Sequence, residues 1–175
     1  MRAAALSLTI LACAAGAGAD SPKLRSSYGE TGLVELPSAE VQPDGEVGVT
    51  VSHAADATRA NLTFQLLPRL EGTFRISTLD GFDTGTGSTL YNRAYDLKLQ
   101  VLAEGERHPA LAVGARDVLG TGIYAGEYIV ATKTLTPGLR ATAGLGWGRL
   151  SSGDSRTETP STDDDVRLRG YFSGN

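Results

Sequence analysis

Apolar and polar side chains alternate along most of this chain with the period of two that an extended strand imposes. From Leu139 to Gly148, Leu139, Ala141, Ala143, Leu145 and Trp147 share one face, while Arg140, Thr142 and glycines share the other. The same alternation sets Val47, Val49 and Val51 against Gly48, Thr50 and Ser52, and Leu62, Phe64 and Leu66 against Asn61, Thr63 and Gln65. Leu70, Gly72, Phe74 and Ile76 oppose Glu71, Thr73, Arg75 and Ser77; Leu97, Leu99, Val101 and Ala103 oppose Asp96, Lys98 and Gln100. Leu111, Val113 and Ala115 oppose Ala112, Gly114 and Arg116. Between Glu127 and Leu135 the pattern is blurred, and it reads best with Tyr128, Val130 and Thr132 outward and Glu127, Ala131 and Lys133 inward.

Tight turns at Leu67-Pro68-Arg69, Gly105 to His108 and Thr136-Pro137-Gly138 alternate with longer loops at Ala54 to Ala60, Asp80 to Arg93 and Val118 to Gly126. Segregated loop lengths are the habit of a barrel whose two ends face different compartments. The expected fold is therefore all-β: an antiparallel up-and-down meander forming an incomplete outer-membrane β-barrel, with apolar faces toward lipid. A secreted β-sandwich also alternates, burying its apolar face in a core. Small residues such as Ala141 and Ala143 fill a sandwich core poorly, however. Tyr95, Tyr128 and Trp147 stand near strand ends, where interfacial aromatic girdles belong.

The N-terminus reads as an export signal over residues 1–19: Met1-Arg2, an apolar run, then Ala17-Gly18-Ala19 before Asp20. Cys13 is the only cysteine, and Ile10-Leu11-Ala12-Cys13 offers a looser alternative, the acylation site of a lipoprotein. Residues 20–45, rich in Pro, Gly and Ser, read as an irregular lead-in, and residues 46–175 as the N-terminal part of a transmembrane barrel. Arg149 to Asp165 is a polar loop, after which Val166 to Phe172 begins another strand. Bacterial barrels close with an even number of strands, eight or more, so truncation of a longer barrel is the expectation.

Composition narrows the function. Glycine is abundant (22 of 175 residues), aromatics make up 6%, and the formal charge is −4; no basic field exists to hold nucleic acid. Only His53 and His108 are present, neither set in a recognisable nucleophile–histidine–carboxylate pattern, and no nucleophile elbow or zinc-protease motif occurs. The chain therefore reads as non-enzymatic, with no cofactor and no metal. Asp163-Asp164-Asp165 lacks the spacing of a calcium loop. The glycines of Gly120-Thr121-Gly122 lack the Lys-Ser/Thr of a phosphate loop. A better lead is the set of charges expected to face the lumen: Glu71, Arg75, Asp96, Lys98, Arg116, Glu127, Lys133 and Arg140. They either pair with one another or contact a polar solute, and mutual pairing is the simpler role.

The order Val113-Gly114-Ala115-Arg116-Asp117, Gly120-Thr121-Gly122, Glu127 to Lys133 and Gly144-Leu145-Gly146-Trp147-Gly148 resembles the YjbH family of bacterial outer-membrane proteins linked to exopolysaccharide. Tyr28-Gly29-Glu30-Thr31-Gly32-Leu33, Pro37-Ser38-Ala39 and Asp96-Leu97-Lys98 extend the likeness over nearly everything after the signal. The resemblance implies a barrel that helps make or export an extracellular polysaccharide, with outer-membrane lipid, the polymer and other secretion components as partners. It carries no catalytic residues. Two rivals remain: an outer-membrane hydrolase that modifies the polymer, and a soluble periplasmic β-sandwich acting as a scaffold.

Overall fold

Strands of two to fourteen residues account for most of the computed structural model, which describes residues 7–14, 23–54, 57–80 and 89–150. In chain order these are β1 (Ser7–Ala14), β2 (Gly32–Leu33), β3 (Leu36–Pro37), β4 (Val47–Ala54), β5 (Ala57–Leu67), β6 (Leu70–Asp80), β7 (Thr89–Leu102), β8 (Ala110–Arg116), β9 (Gly126–Thr136) and β10 (Leu139–Gly148). No helix interrupts them among the described residues. β4 to β10 pair as successive antiparallel hairpins in an eight-stranded sheet, the meander expected from the alternation. The sheet curls into an open half-barrel. β1, drawn from the segment expected to be the export signal, lies against β10 with Ser7 opposite Gly146 and Ala14 opposite Leu139.

The half-barrel is apolar on its exposed face and polar on its buried one. Val49 is 71% exposed, Leu99 44% and Ile129 47%, whereas Arg75 and Asn92 are 0% exposed and Glu71 1%. What buries the polar face is the lead-in, residues 23–46, which runs across the concave side. Its backbone accepts hydrogen bonds from Ser52 and Asn61 at Ser27 O, and from Thr63 at Gly29 O. Farther along, Ala39 N–H donates to Thr132 Oγ1 and Ala39 O accepts from Gln100. An expected irregular segment is thus the filling of the half-barrel. Two small apolar clusters accompany it, one around Ala39, Ala112, Tyr128 and Val130, the other around Tyr28, Leu79 and Tyr124.

Two boundaries differ from the sequence expectation. β5 starts at Ala57, inside the loop expected over Ala54–Ala60, with Arg59 pointing inward. β7 starts at Thr89, shortening the loop expected over Asp80–Arg93. The expected strand at Val166–Phe172 and the acidic run Asp163–Asp165 lie outside the described residues.

Candidate functional site: a buried charge network beneath the lead-in

Three ion pairs cross the concave face, each less than one-twentieth exposed on either side. Neighbouring β6 and β7 create the first: Arg75 donates to both carboxylate oxygens of Asp96, at 2.6 and 3.0 Å. Such two-pronged pairing is the geometry a planar guanidinium favours. Asp96 Oδ1 also accepts the Asp117 N–H at 2.8 Å, tying the start of the β8–β9 connection to β7. Asp117 holds a left-handed backbone (φ 56°) that aspartate tolerates, and its Oδ2 accepts the Tyr124 N–H.

The second and third pairs bind the lead-in to the wall. Lys98 and Glu71, adjacent on β7 and β6, meet at 2.9 Å. Lys98 Nζ donates to Thr31 O at 3.0 Å, and Glu71 accepts the backbone N–H groups of Thr31 and Gln42 at 2.9 and 3.1 Å. Glu30 accepts from Arg116 through both Nε and Nη2, and from the Tyr128 hydroxyl at 2.6 Å. Arg116 Nη2 also donates to Glu35 O at 2.9 Å. Above these pairs, the guanidinium carbons of Arg59, Arg75 and Arg116 stand 4.8, 4.9 and 4.1 Å from the Tyr28 ring centroid, close enough for cation–π attraction. Burial works to raise the Glu30 pKa, but the Arg116 and Lys98 charges and the hydrogen bonds from Tyr128 and Arg116 hold it below the ordinary carboxylate value. Asp117 is pushed up by its burial.

Of the eight charges expected to face the lumen, Glu71, Arg75, Asp96, Lys98 and Arg116 all line this network. Arg140 also points to the concave side and pairs with Glu40 of the lead-in at 2.6 Å, a carboxylate shared with Lys23. Glu127 and Lys133 do not. β9 runs in the opposite phase to the one its blurred pattern suggested, with Tyr128, Val130 and Thr132 buried inside. A shift of one residue exchanges the two faces of a strand. Glu127 therefore shares the outer face with its cross-strand partners Ala115 and Trp147. Lys133 sits at the β7–β8 connection, pairing with Glu104 at 3.3 Å and donating to Gly105 O. Tyr128 is correspondingly not part of an outer girdle, whereas Tyr95 is exposed on the outer face.

Glu30, Arg59, Asn92 and Asp117 belong to the buried set without having been singled out from sequence. Arg59 was legible in principle, since its inward phase continues from Asn61 and Thr63. The two histidines are exposed, His53 against Thr58 Oγ1 and His108 against its neighbour's carbonyl. Among the described residues no group of His, Cys, Asp or Glu is arranged to hold a metal ion.

These features define a class of protein: an antiparallel half-barrel with a charged inner wall, filled by its own N-terminal segment. Residues 24–175 match the YjbH family, described as exopolysaccharide biosynthesis protein YbjH, and the chain belongs to that family. It is 34% identical over 134 residues to the uncharacterized lipoprotein YjbH of Escherichia coli (strain K12), an alignment covering 73% of this chain and 19% of that protein. The chain thus spans about a fifth of that relative's length. No solved structure matches.

Proposed function

We propose that the chain is a wall segment of an outer-membrane β-barrel that takes a non-enzymatic part in the assembly or export of exopolysaccharide. The observation that carries this reading is the inverted polarity of the half-barrel. Leaving Val47, Val49, Val51, Leu97, Leu99 and Val101 exposed while burying Arg75, Lys98 and Glu71 is costly in water and favourable in lipid. Family membership supplies the link to exopolysaccharide. Outer-membrane lipid, the polymer and other secretion components are the proposed partners.

The test is carbonate extraction of the full-length protein, joined to spin labels at Leu99 and Leu145 on the outer face and at Arg140 on the inner. The expected outcome is retention in the membrane, with the first two labels reached by lipid-soluble oxygen and the third by a water-soluble relaxant. Release by carbonate would favour the periplasmic scaffold. Shortening or deacylation of the native polymer by the purified protein would favour the hydrolase.

A second reading concerns anchoring. The E. coli relative is called a lipoprotein, which favours acylation at Cys13 over simple cleavage after Ala19. Palmitate labelling that disappears in Cys13→Ala is the expected result under this reading; unchanged processing returns the choice to the Ala17-Gly18-Ala19 site.

A further inference from the structure

The three ion pairs of the concave wall are matched among themselves, but the wall holds a further buried cation. Arg59 on β5 is 6% exposed, and its Nε and Nη1 have no hydrogen-bond acceptor. The carboxylates of Asp96, Glu71 and Glu30 are committed to Arg75, Lys98 and Arg116. Asp117 Oδ2 accepts the Tyr124 N–H, its Oδ1 has no partner, and the cation that acts on it is Arg75; neither oxygen bonds Arg59. Isolated buried charge is strongly disfavoured unless something compensates it.

What surrounds Arg59 is a set of donors in the same condition. Ser77 is its direct cross-strand partner on β6, and Asn92 is the partner of Ser77 on β7. The three side chains therefore form a row across adjacent strands on the concave side. Ser77 is 1% exposed and its hydroxyl has no partner. Asn92 is 0% exposed; its Oδ1 accepts from the Thr121 hydroxyl at 2.8 Å, and its Nδ2 has no acceptor. Tyr124, from the β8–β9 connection, closes the group: its ring centroid lies 5.4 Å from the Arg59 guanidinium carbon, and its buried hydroxyl is unpartnered too. Buried polar atoms without partners are rare, and four such side chains set side by side point to a missing acceptor.

We propose that Arg59, Ser77, Asn92 and Tyr124 form a binding site for a small oxyanion. One positive charge, an amide N–H₂ and two hydroxyls supply what such a group needs: neutralisation by Arg59 and donors for its remaining lone pairs. Two sources share this chemistry, the carboxylate of an acidic sugar and free inorganic phosphate. The sugar source rests on the exopolysaccharide reading; the site itself does not, because phosphate alone fills it.

The test uses full-length protein in detergent, with thermal unfolding followed by circular dichroism in glucuronate, phosphate, glucose and chloride at matched ionic strength. Glucuronate, phosphate or both are expected to raise the midpoint saturably above the chloride baseline, while glucose leaves it unchanged. A rise with glucuronate alone assigns the sugar acid, and a rise with phosphate alone assigns the inorganic ion. Arg59→Gln is expected to weaken apparent affinity about tenfold or more, the scale of a lost hydrogen bond to a charged group. Asn92→Asp places a carboxylate in the same row as Arg59, one strand beyond Ser77, without changing shape, and is expected to raise the midpoint unaided and abolish the anion response. The proposal is overturned if no anion moves the wild-type midpoint beyond chloride. An equal response in Arg59→Gln or Asn92→Asp overturns it as well.

Discussion

Glu30 and Arg116, 86 positions apart in sequence, meet in two hydrogen bonds beneath the lead-in, with the Tyr128 hydroxyl as a third partner on the same carboxylate. This contact joins the filling of the half-barrel to its wall. Removing one partner of such a pair leaves a buried charge uncompensated, at about 3–5 kcal/mol. Glu30→Gln is therefore expected to loosen the lead-in and speed trypsin cleavage at Lys23 and Arg25 relative to wild type. Limited proteolysis of the full-length protein in detergent, followed by N-terminal sequencing, checks it. Unchanged cleavage would show that the lead-in is held by the other contacts alone.

The same carboxylate gives the pH dependence. Its pKa in the folded chain lies below the ordinary 4.5, so its contribution is complete above that value and fades as pH falls through the lowered one. Asp117 acts with the opposite sign. Burial raises it above the ordinary 3.8, so ionisation costs folded-state stability, and that cost is relieved as pH falls through the raised value. The difference between wild type and Glu30→Gln cancels the Asp117 contribution. That difference is expected to be flat above pH 4.5 and to shrink below it, as read from urea unfolding in micelles at a series of pH values.

Strand phase explains what was legible from sequence and what was not. Over residues 70–77 of β6 and 95–101 of β7 the outward positions are apolar, Gly72 apart, and the inward ones polar, so Glu71, Arg75, Asp96 and Lys98 were placed on the right side from the pattern alone. In β9 the outward positions include Ala131 and Lys133, and the inward ones include Tyr128 and Val130. Hydropathy there carries no phase, and the choice is made by tertiary contacts: Glu30 accepting from Tyr128 and Thr132 accepting from Ala39. The lead-in was unreadable for a related reason. Its backbone bonds partly within its own irregular turns and partly to side chains of distant strands, so no local period announces it.

Leu99 offers the sharpest distinction between lipid and water outside the sheet. It lies in the C-terminal half of β7 among the outward apolar residues Tyr95, Leu97 and Val101, and is 44% exposed. In a bilayer, Leu99→Arg is expected to cost more than about 1 kcal/mol, rising toward about 2–4 kcal/mol with depth; on a water-facing surface the change is worth within about 0.5 kcal/mol. Assembly into the outer membrane, read as heat-modifiable mobility on a gel, is expected to fall sharply. Full assembly of Leu99→Arg would count against lipid contact.

Val34 stores strain in the turn between β2 and β3. Its φ is 51°, a left-handed value poorly suited to a β-branched side chain, and it is 76% exposed. The conformation is held because Val34 O accepts the Ser27 N–H at 2.6 Å. Val34→Asn keeps that carbonyl and tolerates the backbone, so it is expected to stabilise the fold by about 1 kcal/mol. A raised urea midpoint with an unchanged slope is the confirming result, and a lowered midpoint would show that the side chain itself is needed.

Gly114 makes room for the ring that completes the Glu30 site. It is the direct cross-strand partner of Tyr128, and a Cβ at this position would fall within the van der Waals shell of the Tyr128 ring. An aromatic laid over a strand glycine covers its bare backbone, and here it also carries the hydroxyl to Glu30. Gly114→Ala is expected to push the ring aside at about 1–3 kcal/mol, the usual range for overpacking. If displacement of the ring is the cause, the cost is absent once the ring is gone. In a double-mutant cycle with Tyr128→Ala, Gly114→Ala should then be nearly neutral, with a coupling of about 1 kcal/mol or more. Equal costs in both backgrounds would instead place the strain in the β8 backbone, and the packing of Tyr128 over Gly114 would not be what orients its hydroxyl.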